Sequence, residues 1–185
     1  MKKLLLLLSV LFFSISVFAQ AKEDVPASKS TTIEFLNSQG SLIIKEFYDL
    51  PKVKGVECQV LIATDVVNGS KLGCLRLITT YSSSYSSDTY IGTLDYDELD
   101  ACVKSLQYIK DTLIPSTPLV YTEVEYKTKD GVELGAYYSK NKWKAYVYTK
   151  DYTSRSAEYL DASNIDAFIS VMNQAKNLIS EKMAK

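Results

Sequence analysis

LDYDELDACVKSLQYIKDTL, residues 94–113, is the stretch that decides the fold, because LDASNIDAFISVMNQAKNLI, residues 160–179, aligns with it without a gap. At this offset of 66 residues five positions are identical: Leu94/Leu160, Asp95/Asp161, Asp100/Asp166, Ala101/Ala167 and Lys110/Lys176. Upstream, Gly55-Val56-Glu57 is repeated as Gly131-Val132-Glu133 at an offset of 76. The chain therefore contains one unit twice, and the second copy has lost about ten residues in its hairpins.

Each copy has the pattern of strands followed by a helix. Apolar residues such as Leu99, Val103 and Leu106 recur at helical spacing in both aligned stretches, which predicts helices with one apolar face. Runs rich in Val, Tyr and Thr between turn residues predict strands at 31–36, 41–50, 56–64, 72–80, 90–94, 119–128, 132–139, 143–149 and 154–160. The first two of these runs are predicted to form a hairpin around the polar turn at 37–40.

These elements predict an α+β fold: an internal duplication of a ββββα unit, with antiparallel sheets each covered by one C-terminal helix. Residues 31–114 form the first predicted repeat and residues 115–185 the second. A repeat of this size is marginal on its own, so we expect the two repeats to share one core in a single domain.

The N-terminal residues indicate export. Residues 1–19 combine Lys2 and Lys3, an apolar run from Leu4 to Phe13 and a small-residue cleavage site, as in a secretory signal peptide. The run is shorter than the roughly 20 residues of a membrane-spanning helix, so no transmembrane segment is expected after cleavage. Residues 20–30 are polar and aperiodic, which predicts a disordered tether. We expect a periplasmic or secreted protein.

The composition argues against several chemistries. Without residues 1–19 the chain has 19 basic and 22 acidic residues, so it has no general attraction for phosphate backbones. The chain contains no histidine, the commonest general base, and no phosphate-binding glycine loop. The acidic run 95–100 reads as a capped helix start with a capping box of Asp95 and Glu98, not as a calcium loop. We expect no enzyme activity, no cofactor and no metal site.

The three cysteines leave two alternatives open. Cys58, Cys74 and Cys102 belong to an exported chain, where a Cys58–Cys74 disulfide between adjacent strands can form. The repeat places Leu134 opposite Cys58 and Phe168 opposite Cys102, which favours buried free thiols instead.

Tyrosine is the remaining signal, with 14 in the chain. Tyr81, Tyr85 and Tyr90 fall in a Tyr/Ser-rich stretch predicted to be a loop, and Tyr152 and Arg155 fall in the matching loop of the second copy. Tyrosine and serine together are typical of adaptable recognition surfaces.

Strand alternation provides a second candidate surface. It places Trp143, Ala145 and Val147 towards the helix and Lys144, Tyr146 and Tyr148 on the other face, where they could form a binding platform. The alternative is that tyrosine simply suits strands and that the other repeat covers this face.

A family resemblance follows from the second copy. The Lys140-Asn141-Lys142 hairpin, the Ser154-Arg155-Ser156 step and a strand ending at Leu160 before the helix resemble the ββββα unit of the Pur-alpha and Whirly group of nucleic-acid-binding proteins. The resemblance implies single-strand binding through Lys142, Lys144, Tyr146 and Tyr148. The export signal, the net negative charge and carboxylates such as Glu123, Glu125 and Glu158 on the same strands argue against nucleic acid as the partner.

The leading hypothesis is an exported, non-catalytic binding protein whose partner is a protein or glycan of the cell envelope. The nearest alternative is a self-associating structural protein whose open sheet face is buried in a homodimer.

Overall fold

A computed structural model describes residues 29–151 and 153–184 of the chain. The helices and strands, in chain order, are α1 (Thr31–Leu36), β1 (Ile43–Val53), β2 (Val56–Asp65), β3 (Lys71–Ser82), β4 (Ser87–Asp95), α2 (Leu99–Tyr108), β5 (Thr122–Lys127), β6 (Glu133–Ser139), β7 (Lys142–Tyr148), β8 (Ala157–Asp161) and α3 (Ile165–Met183). Short 3₁₀ turns at 96–98, 154–156 and 162–164 precede α2, β8 and α3, and a π-helical turn at 109–113 extends α2.

The strands form two antiparallel sheets of four, ordered β1-β2-β3-β4 and β5-β6-β7-β8, and each sheet is followed by a helix. This confirms the predicted α+β class and the duplicated ββββα unit. Strand pairing extends the repeat to β3 and β7: Cys58 pairs with Leu77, and Leu134 pairs with Val147. Because Leu134 is the equivalent of Cys58, Leu77 and Val147 are also equivalent, at an offset of 147 − 77 = 70 residues.

Each helix lies against the sheet of the other repeat. α3 packs on β1, β2 and β3, where Lys182 Nζ lies 4.9 Å from the centre of the Tyr48 ring. α2 packs on β5 and on α3. The helices are therefore exchanged between the repeats, a detail that the predicted arrangement of one C-terminal helix per sheet did not specify.

The exchange produces one buried core that contains residues of both repeats. Leu77 and Leu94 of the first sheet, Val147 and Leu160 of the second, and Met172 of α3 all belong to it. Trp143, Ala145 and Val147 face this core, as strand alternation predicts. Because apolar burial is the main stabilising contribution to folding, neither repeat keeps its full core without the other.

Equivalent residues meet where the repeats touch. Lys110 pairs with Asp166, and its equivalent Lys176 pairs with Asp100, each at 2.5 Å, across the contact between the helices. Thr79 and Thr149, equivalent at the offset of 70, bring their hydroxyl oxygens to 2.6 Å from each other. The repeats are thus related by an approximate twofold axis that passes close to these threonines.

Residues 31–36 are helical, so the predicted strand there is wrong. Ser30 caps this helix, because its hydroxyl oxygen accepts a hydrogen bond from the Ile33 amide. Ser30 is buried, so tertiary contacts begin within the last two residues of the predicted tether, and residues 20–28 lie outside the described part. The predicted signal peptide, residues 1–19, also lies outside it.

Candidate functional site

Five tyrosines lie together on the outer face of the second sheet, the face turned away from the core, and we call this surface the tyrosine face. Its members are Tyr121, Tyr137, Tyr146, Tyr148 and Tyr159. Neighbouring ring centres are 5.5 to 6.4 Å apart, in tilted or edge-to-face orientations. Such pairs are favourable beyond simple burial, so the rings form one connected aromatic surface.

Strand register explains how the tyrosines meet. Tyr146 of β7 pairs with Tyr159 of β8 on one side and with Gly135 of β6 on the other. The Tyr146 ring lies over Gly135, because a Cβ atom on that glycine would lie only 2.7 Å from the ring. A residue without a side chain at position 135 therefore lets Tyr146 lie flat on the sheet, where it is buried beneath its neighbours.

Hydrogen bonding and burial raise the pKa values of three of these phenols above their usual range. The hydroxyl groups of Tyr148 and Tyr159 are 2.8 Å apart, and this contact, with burial, raises the pKa of Tyr148 to about 12. The Tyr121 hydroxyl donates to Glu123 at 2.8 Å, which raises the pKa of Tyr121. Burial, and then the nearby Glu123, raise the pKa of Tyr146. Phenols are uncharged at neutral pH, and the raised pKa values keep these three protonated further into the alkaline range.

Charged side chains flank the rings in two strips. On β5 the exposed Glu123 and Glu125 lie beside the tyrosines, and on β7 Lys142 and Lys144 lie on the same face. At the end of β5, Lys127 Nζ contacts carboxylate oxygens of both Glu133, at 2.9 Å, and Asp151, at 2.8 Å. The face thus offers aromatic rings, hydrogen-bond acceptors and cations to a partner.

The tyrosine face is open in the described part of the chain. Tyr121 and Tyr159 are 62% and 56% exposed. The alternative in which the other repeat covers this face is not what the structure shows, because the other repeat packs on the inner side. Lys144, Tyr146 and Tyr148 lie on the outer face as predicted, whereas Tyr121, Tyr137 and Tyr159 were missed.

On the equivalent face of the first sheet, α1 covers the part formed by β3 and β4, whereas Phe47 and Ile91 on the same face stay 49% and 41% exposed. Asp95 at the end of β4 holds that helix: its carboxylate accepts hydrogen bonds from the Ser30 hydroxyl, the Thr31 amide and hydroxyl, and the Thr32 amide, at 2.7 to 3.2 Å. Burial alone would raise the pKa of Asp95, but these hydrogen bonds outweigh it and hold the pKa below its usual range. Glu98 completes the predicted capping box by accepting from the Asp95 amide at 2.9 Å.

The other predicted site residues lie at a separate hairpin tip. Tyr81 is in β3 and Tyr90 is in β4, so the predicted long Tyr/Ser loop is only the turn 83–86, where Tyr85 is 98% exposed. Arg155 lies 5.2 Å from the centre of the Tyr81 ring and 3.4 Å from Asp88. Tyr152 lies outside the described residues.

The Cys58–Cys74 disulfide is not formed. Cys58 pairs in register with Leu77 and faces the core, whereas Cys74 pairs with Leu61 and lies on the opposite face, beneath α1. Strand alternation therefore separates the two thiols. All three cysteines are buried and free, and burial raises the pKa of each to about 12, which keeps them as unreactive thiols.

Within residues 29–151 and 153–184, no cluster of three or more His, Cys, Asp or Glu side chains could hold a metal ion. No helix in that part is long and apolar enough to cross a membrane.

Comparison with known proteins found no match: no protein-family model, no curated protein and no solved structure resembles this chain significantly.

Proposed function

We propose that this is an exported, non-catalytic binding protein that recognises a protein or glycan of the cell envelope through its tyrosine face. The observation that carries the proposal is the contrast between the two outer sheet faces. α1 covers the part of the first over β3 and β4, while no helix among the described residues covers the second, which exposes connected tyrosine rings. Exposed aromatic patches of this kind mark contact sites.

The shape of the face favours an extended partner. Small ligands bind in concave pockets, whereas the tyrosine face is an open sheet surface. Its tilted rings supply rigid apolar area, and its carboxylates, lysines and neutral phenols supply hydrogen bonds on all sides. The same carboxylates, Glu123 and Glu125, repel phosphate groups, which disfavours nucleic acid as the partner.

The test is capture from the envelope of the producing cell. The wild-type protein is compared with Tyr121→Ser/Tyr159→Ser, which removes the two exposed rings, and with Tyr85→Ser, which alters only the hairpin tip. We expect wild type and the tip variant to retain one partner that the double variant loses. Treating the envelope with protease or with periodate then assigns the partner as protein or glycan. Loss with the tip variant alone would move recognition to the hairpin.

A homodimer is the second candidate, favoured by the two charged strips. If β5 of one copy lies opposite β7 and β8 of its partner, Glu123 and Glu125 approach Lys142 and Lys144. A dimer of this kind dissociates as salt screens the charges. Sedimentation equilibrium at low and high salt checks it, and a monomer at low salt and high protein concentration excludes it.

A further inference from the structure

A cleft of about 590 Å³ lies between the start of α1, the start of β3 and the last turn of α3. None of its lining residues belongs to the tyrosine face. Leu72 and Gly73 of β3 and Ile179 and Met183 of α3 supply apolar walls. This volume is within the range of about 300–1,000 Å³ found for small-molecule sites. The cleft is thus the right size for a small ligand.

The second repeat provides a natural comparison. Its equivalent cleft, between the segment after α2 and the start of β7, contains Trp143 at the position that corresponds to Gly73. The Trp143 indole packs against Tyr138, with ring centres 5.6 Å apart, and donates a hydrogen bond to the Ser116 carbonyl at 3.0 Å. In the first repeat Ile179 of α3 packs on Gly73 instead, since a Cβ atom there would lie 2.5 Å from Ile179 Cγ2. The two clefts are similar in volume, about 590 and 530 Å³, but aliphatic atoms form this wall of the first and an indole ring that of the second.

The polar groups at the rim of the first cleft are already paired. The Tyr96 hydroxyl is 2.7 Å from the Ser180 hydroxyl, Asp97 is 2.7 Å from Lys129, and Lys71 Nζ lies 3.5 Å from the Lys182 carbonyl. Asp95 is buried and accepts the four hydrogen bonds from α1. A charged ligand would have to displace these partners, whereas an uncharged apolar one would not.

We propose that this cleft binds one uncharged aliphatic chain, such as that of a fatty alcohol or an acyl group. The gain comes from removing the chain and the exposed parts of Leu72 and Met183 from water. The proposal is independent of the tyrosine face.

Titration with hexanol, octanol and decanol tests the proposal, with the methyl NMR signals of Ile179 and Met183 as the readout. Each added methylene should tighten binding about fourfold until the cleft is full. Decylamine and decanoate, which have the same chain with a charge, should bind more weakly than decanol. Tighter binding of either charged analogue, or no response to decanol, would overturn the assignment.

Two variants on α3 locate the site. Ser180→Phe places a ring in the cleft and should abolish decanol binding, and Met183→Phe should do the same from the next turn. Asn177→Phe adds the same ring at an exposed position of the helix outside the cleft and should leave binding unchanged. Thermal unfolding of each variant confirms that it is folded. Unchanged binding by folded Ser180→Phe and Met183→Phe would place the alcohol elsewhere and refute the proposal.

Discussion

The inner faces of the two sheets hold apolar residues at equivalent positions, such as Leu77 and Val147, or Leu94 and Leu160. The outer faces differ at nearly every position. The five members of the tyrosine face correspond to Lys45, Leu61, Arg76, Ile78 and Thr93 in the first repeat. Tyrosine is therefore not required by the fold at these positions. Packing constrains the shared inner face, and the outer faces are free to take different roles.

The two outer faces also differ in their covering, because the equivalent aspartates have different partners. Asp95 is buried and anchors α1, whereas Asp161 is exposed and its nearest cation is Lys54, at 3.9 Å. The helix α1 thus covers part of the outer face of one sheet and leaves the other outer face open. The following predictions compare equivalent positions of the two repeats.

The largest difference is expected at Gly92 and its equivalent, Glu158. A Cβ atom at Gly92 would lie 2.3 Å from the Thr149 carbonyl oxygen and 2.3 Å from Val132 Cγ2, in the contact between the repeats. Gly92→Ala should lower the free energy of unfolding by about 3 kcal/mol, measured by urea denaturation. Glu158→Ala should cost about 0.5 kcal/mol or less. Equal costs would show that the two repeats do not pack as described.

The next effect is expected at the aspartate pair. Asp95→Asn should cost about 2 kcal/mol, because it removes hydrogen bonds to a charged acceptor. Asp161→Asn should cost about 0.5 kcal/mol or less. Because folding holds the pKa of Asp95 below its usual value of about 4, its contribution to stability is complete above that pH and is lost as pH falls through the folded-state pKa.

Hydrogen exchange of the Thr31 and Thr32 amides measures directly how firmly the Asp95 carboxylate holds the start of α1, because both amides donate to it. Wild-type protection should fall in acid, and Asp95→Asn should lack that protection at neutral pH. Protection of α1 that survives in Asp95→Asn would mean that another contact holds the helix.

A smaller effect is expected at the threonine pair on the approximate axis. Thr79→Val and Thr149→Val should each cost about 1 kcal/mol, since each leaves a buried hydroxyl with fewer partners. The double variant should cost less than the sum, because both hydroxyls then leave the buried site together. A double-mutant cycle by chemical denaturation checks this, and strict additivity would contradict the direct contact.

The smallest effect is expected at the exchanged ion pairs, Lys110–Asp166 and Lys176–Asp100. All four side chains are substantially exposed, so solvent and salt screen both pairs. Double-mutant cycles on each pair should give couplings of the same sign and size, and both should disappear at high salt. A clear coupling in one pair and none in the other would weaken the twofold relationship.

Local patterns in the sequence predicted the helices, the duplication and the outward position of Lys144, Tyr146 and Tyr148. The failure at residues 31–36 has a nonlocal cause: Thr31, Thr32 and Ile33 are β-branched and suit strands, but Asp95, far along the chain, binds the helix start. Tyr137 lies in β6, Tyr159 lies in β8 and Tyr121 directly precedes β5, so only the register shows that they join Tyr146. The identical pairs at 100/166 and 110/176 were visible in the sequence, but their contacts require the exchanged helices.

The most direct test of the central claim compares matched substitutions on the two outer faces. Once the envelope partner is captured, its affinity is measured for wild type, for Tyr121→Ser/Tyr159→Ser on the second sheet and for Phe47→Ser/Ile91→Ser, two exposed apolar residues of the first. We predict at least about a tenfold loss of affinity for the tyrosine variant, as for interface residues that dominate binding, and little change for the other. An equal or larger loss on the first sheet would contradict recognition by the tyrosine face.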